Sequence, residues 1–162
     1  MDNNEHLSKF LNGGSMLVTK ATYNRYMADG IDVDGEFVGY PPDANDINGS
    51  NYILPHDEMD KLLTEANGDI SVIEKGLGMS PGTYGDEPDL IRVDIMNPEN
   101  YNLRMPNGKE AGANENYIDG GYTSGGFPEA VIDQVPNNSE NITYTPVNGL
   151  FRDNSIDNYY SF

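Results

Sequence analysis

A chain of 162 residues with 27 acidic against 9 basic side chains carries a formal charge of −18, and a field of that sign repels nucleic-acid phosphates and anionic membrane surfaces alike. It contains no cysteine, which excludes disulfides and thiolate catalysis and deprives a structural zinc site of its usual ligands. No apolar run approaches the ~20 residues that cross a bilayer, and Met1-Asp2-Asn3-Asn4-Glu5 has neither the basic region nor the apolar core of a signal peptide.

The length fits one domain. Hydrophobic residues make up 36% of the chain, and Gly and Pro together account for 28 of its 162 residues, so a thin core, short elements and many loops are expected. Glu5 to Leu11 reads as a short helix ended by Gly13-Gly14. Ser15-Met16-Leu17-Val18 is a strand. Thr19 caps a helix from Lys20 to Ala28 with Tyr23, Tyr26 and Met27 on one face and Gly30 as its stop. Ile31 to Gly35 is a turn, and Glu36 to Tyr40 is a second strand stopped by Pro41-Pro42. Asp43 to Asn51 is polar loop. Tyr52-Ile53-Leu54 leads into a helix from His56 to Ala66, whose Met59, Leu62, Leu63 and Ala66 recur with helical spacing. Asp69 or Ser71 caps a short helix through Val72, Ile73 and Leu77. Leu90 to Ile95 alternates and is β-branched, the clearest strand, and Asn97-Pro98 ends it. The last strands are Glu129 to Val135 and Ile142 to Val147, spaced to pair as a hairpin across Pro136 to Asn141. The expected fold class is α+β: a small, loop-rich single domain of about five short strands, with two or three short helices in the N-terminal half. Its divisions are an N-terminal extension over 1–14, the α+β domain over 15–148 and a C-terminal tail over 149–162, polar with terminal aromatics.

The most informative stretch runs from Leu103 to Pro136. Gly108, Gly112, Gly120, Gly121, Gly125 and Gly126 break any helix there and admit positive φ. The composition then switches to strand at Glu129. A glycine-rich loop that delivers one carboxylate to the first residue of a strand is a site geometry, because loops admit ligands and strands hold groups still. Glu129 is therefore the candidate catalytic residue: a carboxylate in that setting stabilises an oxocarbenium-like centre or orients a sugar hydroxyl. Arg104 and Arg92, near predicted strands, are candidates for holding a pyrophosphate. Tyr122 in the loop joins them as a cofactor-binding candidate, and Glu110 lies in the same stretch. The competing reading is a solvated edge residue behind glycines that only make turns.

Other chemistries find less support. Asp29, Asp32, Asp34 and Glu36 crowd around Gly35. With Asp32 and Asp34 at positions ~3 and ~5 of a calcium loop, however, the first and last ligands fall on Gly30 and Pro41. A polar turn, and no metal site, is expected. His6 and His56, the only histidines, are far apart in sequence, with no HxxxH pair and no context for a serine triad. No GxxxxGK[ST] occurs, and Gly120 to Gly126 is not a GxGxxG opening a helix.

The order of Gly35-Glu36-Phe37-Val38, Gly68-Asp69-Ile70-Ser71, Glu74-Lys75-Gly76-Leu77-Gly78, Arg92-Val93-Asp94-Ile95, Asn102 to Pro106, Glu110 to Asn114 and Gly120 to Gly126 before Glu129-Ala130-Val131 resembles the C-terminal toxin domains of bacterial polymorphic toxins of the Rhs and contact-dependent type. The resemblance covers about residues 15 to 148. A second resemblance is to the ADP-ribosyltransferase fold, in which a glutamate starts a strand behind a target-recognising loop; Glu129 and Tyr122 to Phe127 match it. The chain departs from that family in having no Arg or His in Ser15 to Val18, and Gly39-Tyr40 where a Ser-Thr-Ser is the pattern. Glu129 is the position that carries over.

These resemblances imply a bacterial toxin or effector domain that transfers ADP-ribose from NAD to a protein target. NAD would lie between the Val18 and Glu129 strands. The domain would act in the cytoplasm after delivery within a larger secreted protein, and it would be neutralised by an immunity protein. Two other readings come from the residues themselves. The net charge suits a non-enzymatic acidic protein, an inhibitor or polyanion mimic, that occupies a basic protein surface. The terminal Tyr159-Tyr160-Ser161-Phe162 suits a structural accessory domain docking on a neighbour. None of the three needs nucleic acid or membrane as partner.

Overall fold

The middle of the fold is β1, Gly14–Thr19, in a five-stranded antiparallel sheet. The computed structural model describes residues 3–26, 37–85, 89–110 and 112–152. On one side β1 pairs along its full length with β4, Leu90–Ile95, from Gly14↔Ile95 to Thr19↔Leu90. On the other side, β3, Asn51–Pro55, meets it only at Gly14↔Pro55 and Ser15↔Leu54. The first half of β3 pairs instead with β5, Ala130–Ile132. β7, Ile142–Val147, pairs with β4 and closes the order β5-β3-β1-β4-β7. From Met16 to Thr19, β1 therefore has no sheet partner among the described residues on its β3 side, and the sheet opens there.

Strand alternation divides the apolar residues between two faces. One face carries Ile53, Val93, Ile95, Ala130, Ile132 and Ile142 against Phe10 and against Val38 and Val135 of a small second sheet. That sheet pairs β2, Phe37–Val38, with β6, Val135–Pro136. The N-terminal α1, Asn3–Leu7, and the 3-10 turn Ser8–Phe10 lie on this face, and His6 and Phe10 are fully buried. The other face carries Leu17, Leu54 and Leu90 under two helices. The first of these, after α2 (Lys20–Tyr26), is α3, His56–Ala66; it buries Met59, Leu62 and Ala66 and ends at Asn67 in the left-handed conformation. The second is α4, Ile70–Gly76, capped by the Asp69 side chain, which accepts the Ser71 N–H at 3.0 Å. At the start of α2 the Thr19 hydroxyl accepts the Thr22 N–H at 3.1 Å.

The α+β class is observed, and every α-helix among the described residues ends by Gly76. The expected hairpin between the Glu129 and Ile142 strands does not form. Their partners are β3 and β4, on opposite edges of the sheet, because each buries its apolar face against a central strand distant in sequence. The Glu129 to Val135 run also breaks at Asp133-Gln134 into β5 and β6, and Tyr52 to Leu54, which leads into α3 as expected, is itself a strand. The tail is tied down as far as it is described: Phe151 N–H donates to Gly68 O at 2.8 Å, and Phe151 O accepts from Ile70 N–H at 2.9 Å. The acidic turn around Gly35 and the terminal Tyr159 to Phe162 lie outside the described residues. No helix among the described residues is long and apolar enough to cross a membrane.

Candidate active site

Where β1 parts from β3 a cavity of about 910 Å³ opens. Pockets for small molecules and cofactors run to roughly 300–1,000 Å³. Its floor is the free edge of β1, Met16 to Thr19, and its walls carry Tyr40, Tyr52, Tyr84, Tyr117 and Tyr122. Among the described lining residues Glu129 is the only charged side chain. The Leu17 carbonyl points to this open side and accepts the Tyr84 hydroxyl at 3.1 Å. By strand alternation the Leu17 N–H faces the same way.

Glu129 stands immediately before β5, and the glycine stretch in front of it is a tight hairpin. Gly121 O accepts the Glu129 N–H at 2.8 Å, Tyr122 bridges Pro128, and Thr123 N–H donates to Phe127 O at 2.8 Å. The hairpin tip is pinned to α4 by the Thr123 hydroxyl, which donates to Gly76 O at 2.6 Å. A Cβ on Gly125 would stand 2.2 Å from Lys75 O and 2.7 Å from the Gly76 Cα, so this close approach requires glycine. The Tyr122 ring and the Glu129 carboxyl are thereby delivered together to the cavity.

No described residue donates to the Glu129 carboxyl. Burial, and then the nearby charge of Glu110, push its pKa up to about 7. Glu110 is treated differently. Its Oε1 accepts the Asn107 N–H at 2.8 Å, and its Oε2 accepts the Gly108 N–H at 2.9 Å and the Tyr52 hydroxyl at 2.7 Å. Burial, followed by that hydrogen bond and the charges of Glu110 and Glu129, moves the Tyr52 phenol above its ordinary range. Two neighbouring carboxyls thus sit in unlike surroundings: Glu110 is held by three donors, whereas Glu129 receives none from the described residues and its pKa is pushed up to about 7. That division leaves Glu129 a carboxyl able to take or give a proton near neutral pH.

Glu129 and Tyr122 therefore share the cavity, and the two arginines lie elsewhere. Arg104 bonds Asp133 at 2.7 Å and sits 3.5 Å from Asp46, in a separate pocket of about 210 Å³ beside β5. Arg92 bonds Asp94 at 2.9 Å and Asp60 at 2.6 Å on the sheet face under α3. Around Arg92 the fold also gathers Ser15, His56 and Asp94. The Ser15 hydroxyl donates to Asp94 at 2.5 Å, and both residues meet the same imidazole nitrogen, Nδ1, at 3.4 and 3.0 Å. A serine triad needs its serine and carboxylate on opposite ring nitrogens, so this cluster is a structural ion-pair network. Among the described residues no group of three or more His, Cys, Asp or Glu is arranged to hold a metal ion. The residues that sequence reasoning left out are Tyr52 and His6, which reach the Glu129 region from a strand and from the N-terminal helix.

Comparison of the chain with protein-family models, curated proteins and solved structures finds no match.

Proposed function

We propose that this chain is an enzyme acting at an N-glycosidic bond, with NAD as the substrate and transfer of its ADP-ribose to a protein as the reaction, in the manner of a bacterial toxin domain. The observation that carries the reading is the Glu129 carboxyl: partly buried, without a hydrogen-bond donor among the described residues, at the head of β5 and open to a large tyrosine-walled cavity. The chemistry at stake is cleavage of the ribosyl C–N bond, the electron pair leaving with nicotinamide and an acceptor's nucleophile bonding to the freed carbon. Ionised Glu129 accepts a ribose hydroxyl hydrogen bond and balances the positive charge that develops at the carbon. The tyrosine walls offer stacking faces to planar rings and exclude water. The free edge of β1 offers main-chain N–H to a carboxamide.

The fit has one unusual feature. No lysine or arginine lines the cavity among the described residues, so a diphosphate would be met by Asn114, Asn116, Ser124 and main-chain N–H groups rather than by the arginines expected from sequence. The protein target, the immunity protein and delivery within a larger secreted protein belong to the same proposal and rest on the resemblance.

The test is release of nicotinamide from NAD by the purified protein, wild type beside Glu129→Gln. Removing a preorganised charge-stabilising group typically costs on the order of 10²- to 10³-fold in rate, and that loss is the expected result. Equal rates in the two proteins, or no turnover by wild type, would overturn the proposal. A second reading, an acidic binding protein for a basic partner, draws on the −18 charge and on the exposed Phe37, Tyr40 and Ile118 at the cavity mouth. Affinity for such a partner would collapse with rising ionic strength.

A further inference from the structure

We propose that the N-terminal segment Asn3–Phe10 is a brace that sets the two cleft residues of the glycine hairpin, with His6 as a positioning residue for Glu129 and Lys9 for Tyr122. The inference rests on the functional reading of Glu129, but not on the identity of the substrate.

His6 is fully buried one helical turn before fully buried Phe10, on the face that α1 turns to the hairpin. Its Nε2 lies 2.9 Å from the main-chain carbonyl of Glu129. A carbonyl only accepts, so Nε2 carries the proton and donates. Nδ1 is buried with no hydrogen-bond partner among the described residues. A side chain needed only for bulk would avoid leaving a polar atom unpaired; the imidazole is there for the bond that Nε2 makes.

The ring also stands edge-on to Tyr122, with centroids 5.3 Å apart. The Tyr122 hydroxyl in turn accepts from the Lys9 ammonium at 2.8 Å. Gly121, whose carbonyl holds the Glu129 N–H, passes so close that a Cβ there would be 2.7 Å from the His6 Nε2. Both main-chain groups of Glu129 are therefore fixed: its N–H by the hairpin and its carbonyl by His6. Neither His6 nor Lys9 lines the cavity. Their action on the site passes through the residues they hold, which makes them positioning rather than catalytic residues.

The experiment compares wild type, His6→Leu, His6→Gln and Lys9→Met by two measurements. The first is the ¹³C titration of the Glu129 carboxyl and the ring signals of Tyr122, in protein labelled at Glu and Tyr. This needs no substrate. The second is the kcat and KM for NAD. His6→Leu keeps bulk but removes the donor, so the Glu129 titration moves away from its wild-type midpoint and kcat falls on the order of 10- to 100-fold with KM little changed. His6→Gln presents an amide N–H at the reach of Nε2 and restores both. Lys9→Met, at an exposed position, shifts the Tyr122 signals. A folded His6→Leu protein with the wild-type Glu129 titration overturns the brace, as do unmoved Tyr122 signals in Lys9→Met. The Lys9 result decides the matter should His6→Leu not fold. Failure of wild type to cleave NAD, with the spectroscopic shifts present, removes the NAD reading and leaves the brace standing.

Discussion

The Tyr52 hydroxyl donates to Glu110 at 2.7 Å, and the Glu129 carboxyl beside it receives no donor from the described residues. One carboxyl of the pair is thus committed to structure, and its charge falls on the other. The consequence is a pH profile. Burial is the larger cause of the raised Glu129 pKa and Glu110 the second. If the ionised form is the working one, turnover falls as pH drops through about 7. Glu110→Gln removes the repelling charge while burial remains, so the acid limb of the profile moves down part of the way towards the ordinary carboxylate range of about 4.3. An acid limb unmoved in Glu110→Gln would show that the two carboxyls do not communicate.

The same raised pKa is a stability statement. A carboxyl whose folded pKa lies above its unfolded value favours the fold in its protonated form. That stability is complete below the unfolded pKa of 4.5 and is lost as pH rises through the folded value of about 7. The difference is worth on the order of 3 kcal/mol above neutrality. Glu129→Gln imitates the protonated form. The variant is predicted to melt roughly 5–10 °C higher than wild type at alkaline pH and nearly with it at acid pH. A candidate catalytic residue whose removal stabilises the protein is the signature of a site held in place by the rest of the fold. Coincident melting curves at pH 8 would count against a buried, unpartnered carboxyl.

How much of this was legible beforehand follows from how local each signal is. The stripe Met59, Leu62, Leu63, Ala66 and the Asp69 cap specify α3 and α4 within their own few residues, and both helices form where expected. Leu90 to Ile95 alternates strongly enough to stand alone. The Glu129 and Ile142 strands look like hairpin partners because they are neighbours in sequence. Their true partners are fixed by burial against β3 and β4, far along the chain, and no local pattern encodes that. Glu129 was readable because a run of glycines met a strand at that residue. Tyr52 sits in a short apolar run ending in proline, which reads equally as a lead into a helix. His6 lies in a helix of five residues, too short for its buried face to declare itself. Arg92 and Arg104 were chosen for their charge, and each is instead held by aspartates.

The far wall of the cavity depends on a buried ion pair. Both Glu74 oxygens meet Arg152 at 3.0 Å and also accept N–H groups from Gly82 and Tyr84. Burial alone would raise the Glu74 pKa, but the Arg152 hydrogen bonds, those N–H groups and the Arg152 charge outweigh it, and the net shift is downward. A lowered carboxylate pKa contributes stability that is present above the unfolded value and lost as pH falls through the folded one. Arg152→Met leaves the charge buried without its partner, a change that costs about 3–5 kcal/mol. The variant should lose that much in urea unfolding, and its Tyr84 loop should exchange amide protons faster. A loss below about 1 kcal/mol would place the pair in the class of surface salt bridges.

The glycine hairpin offers a test of geometry against backbone freedom, because Gly125 and Gly126 are adjacent and differ in kind. Gly126 has φ of +91° and open space where a Cβ would go. Alanine there meets only the left-handed backbone penalty, roughly 1–2 kcal/mol. Gly125 lies outside that region, but its Cβ would strike the main chain of Lys75 and Gly76, which has no rotamer with which to yield. Gly125→Ala must therefore lift the hairpin off the end of α4, at a cost of roughly 1–3 kcal/mol or more. The lift breaks the Thr123 bond to Gly76 O and carries Tyr122 and Glu129 with it. Gly125→Ala is predicted to reduce kcat for NAD strongly. Gly126→Ala should lower stability and leave turnover near wild type, since its strain stays at the tip. Equal activity in the two variants would mean that the contact with α4 does not position the site.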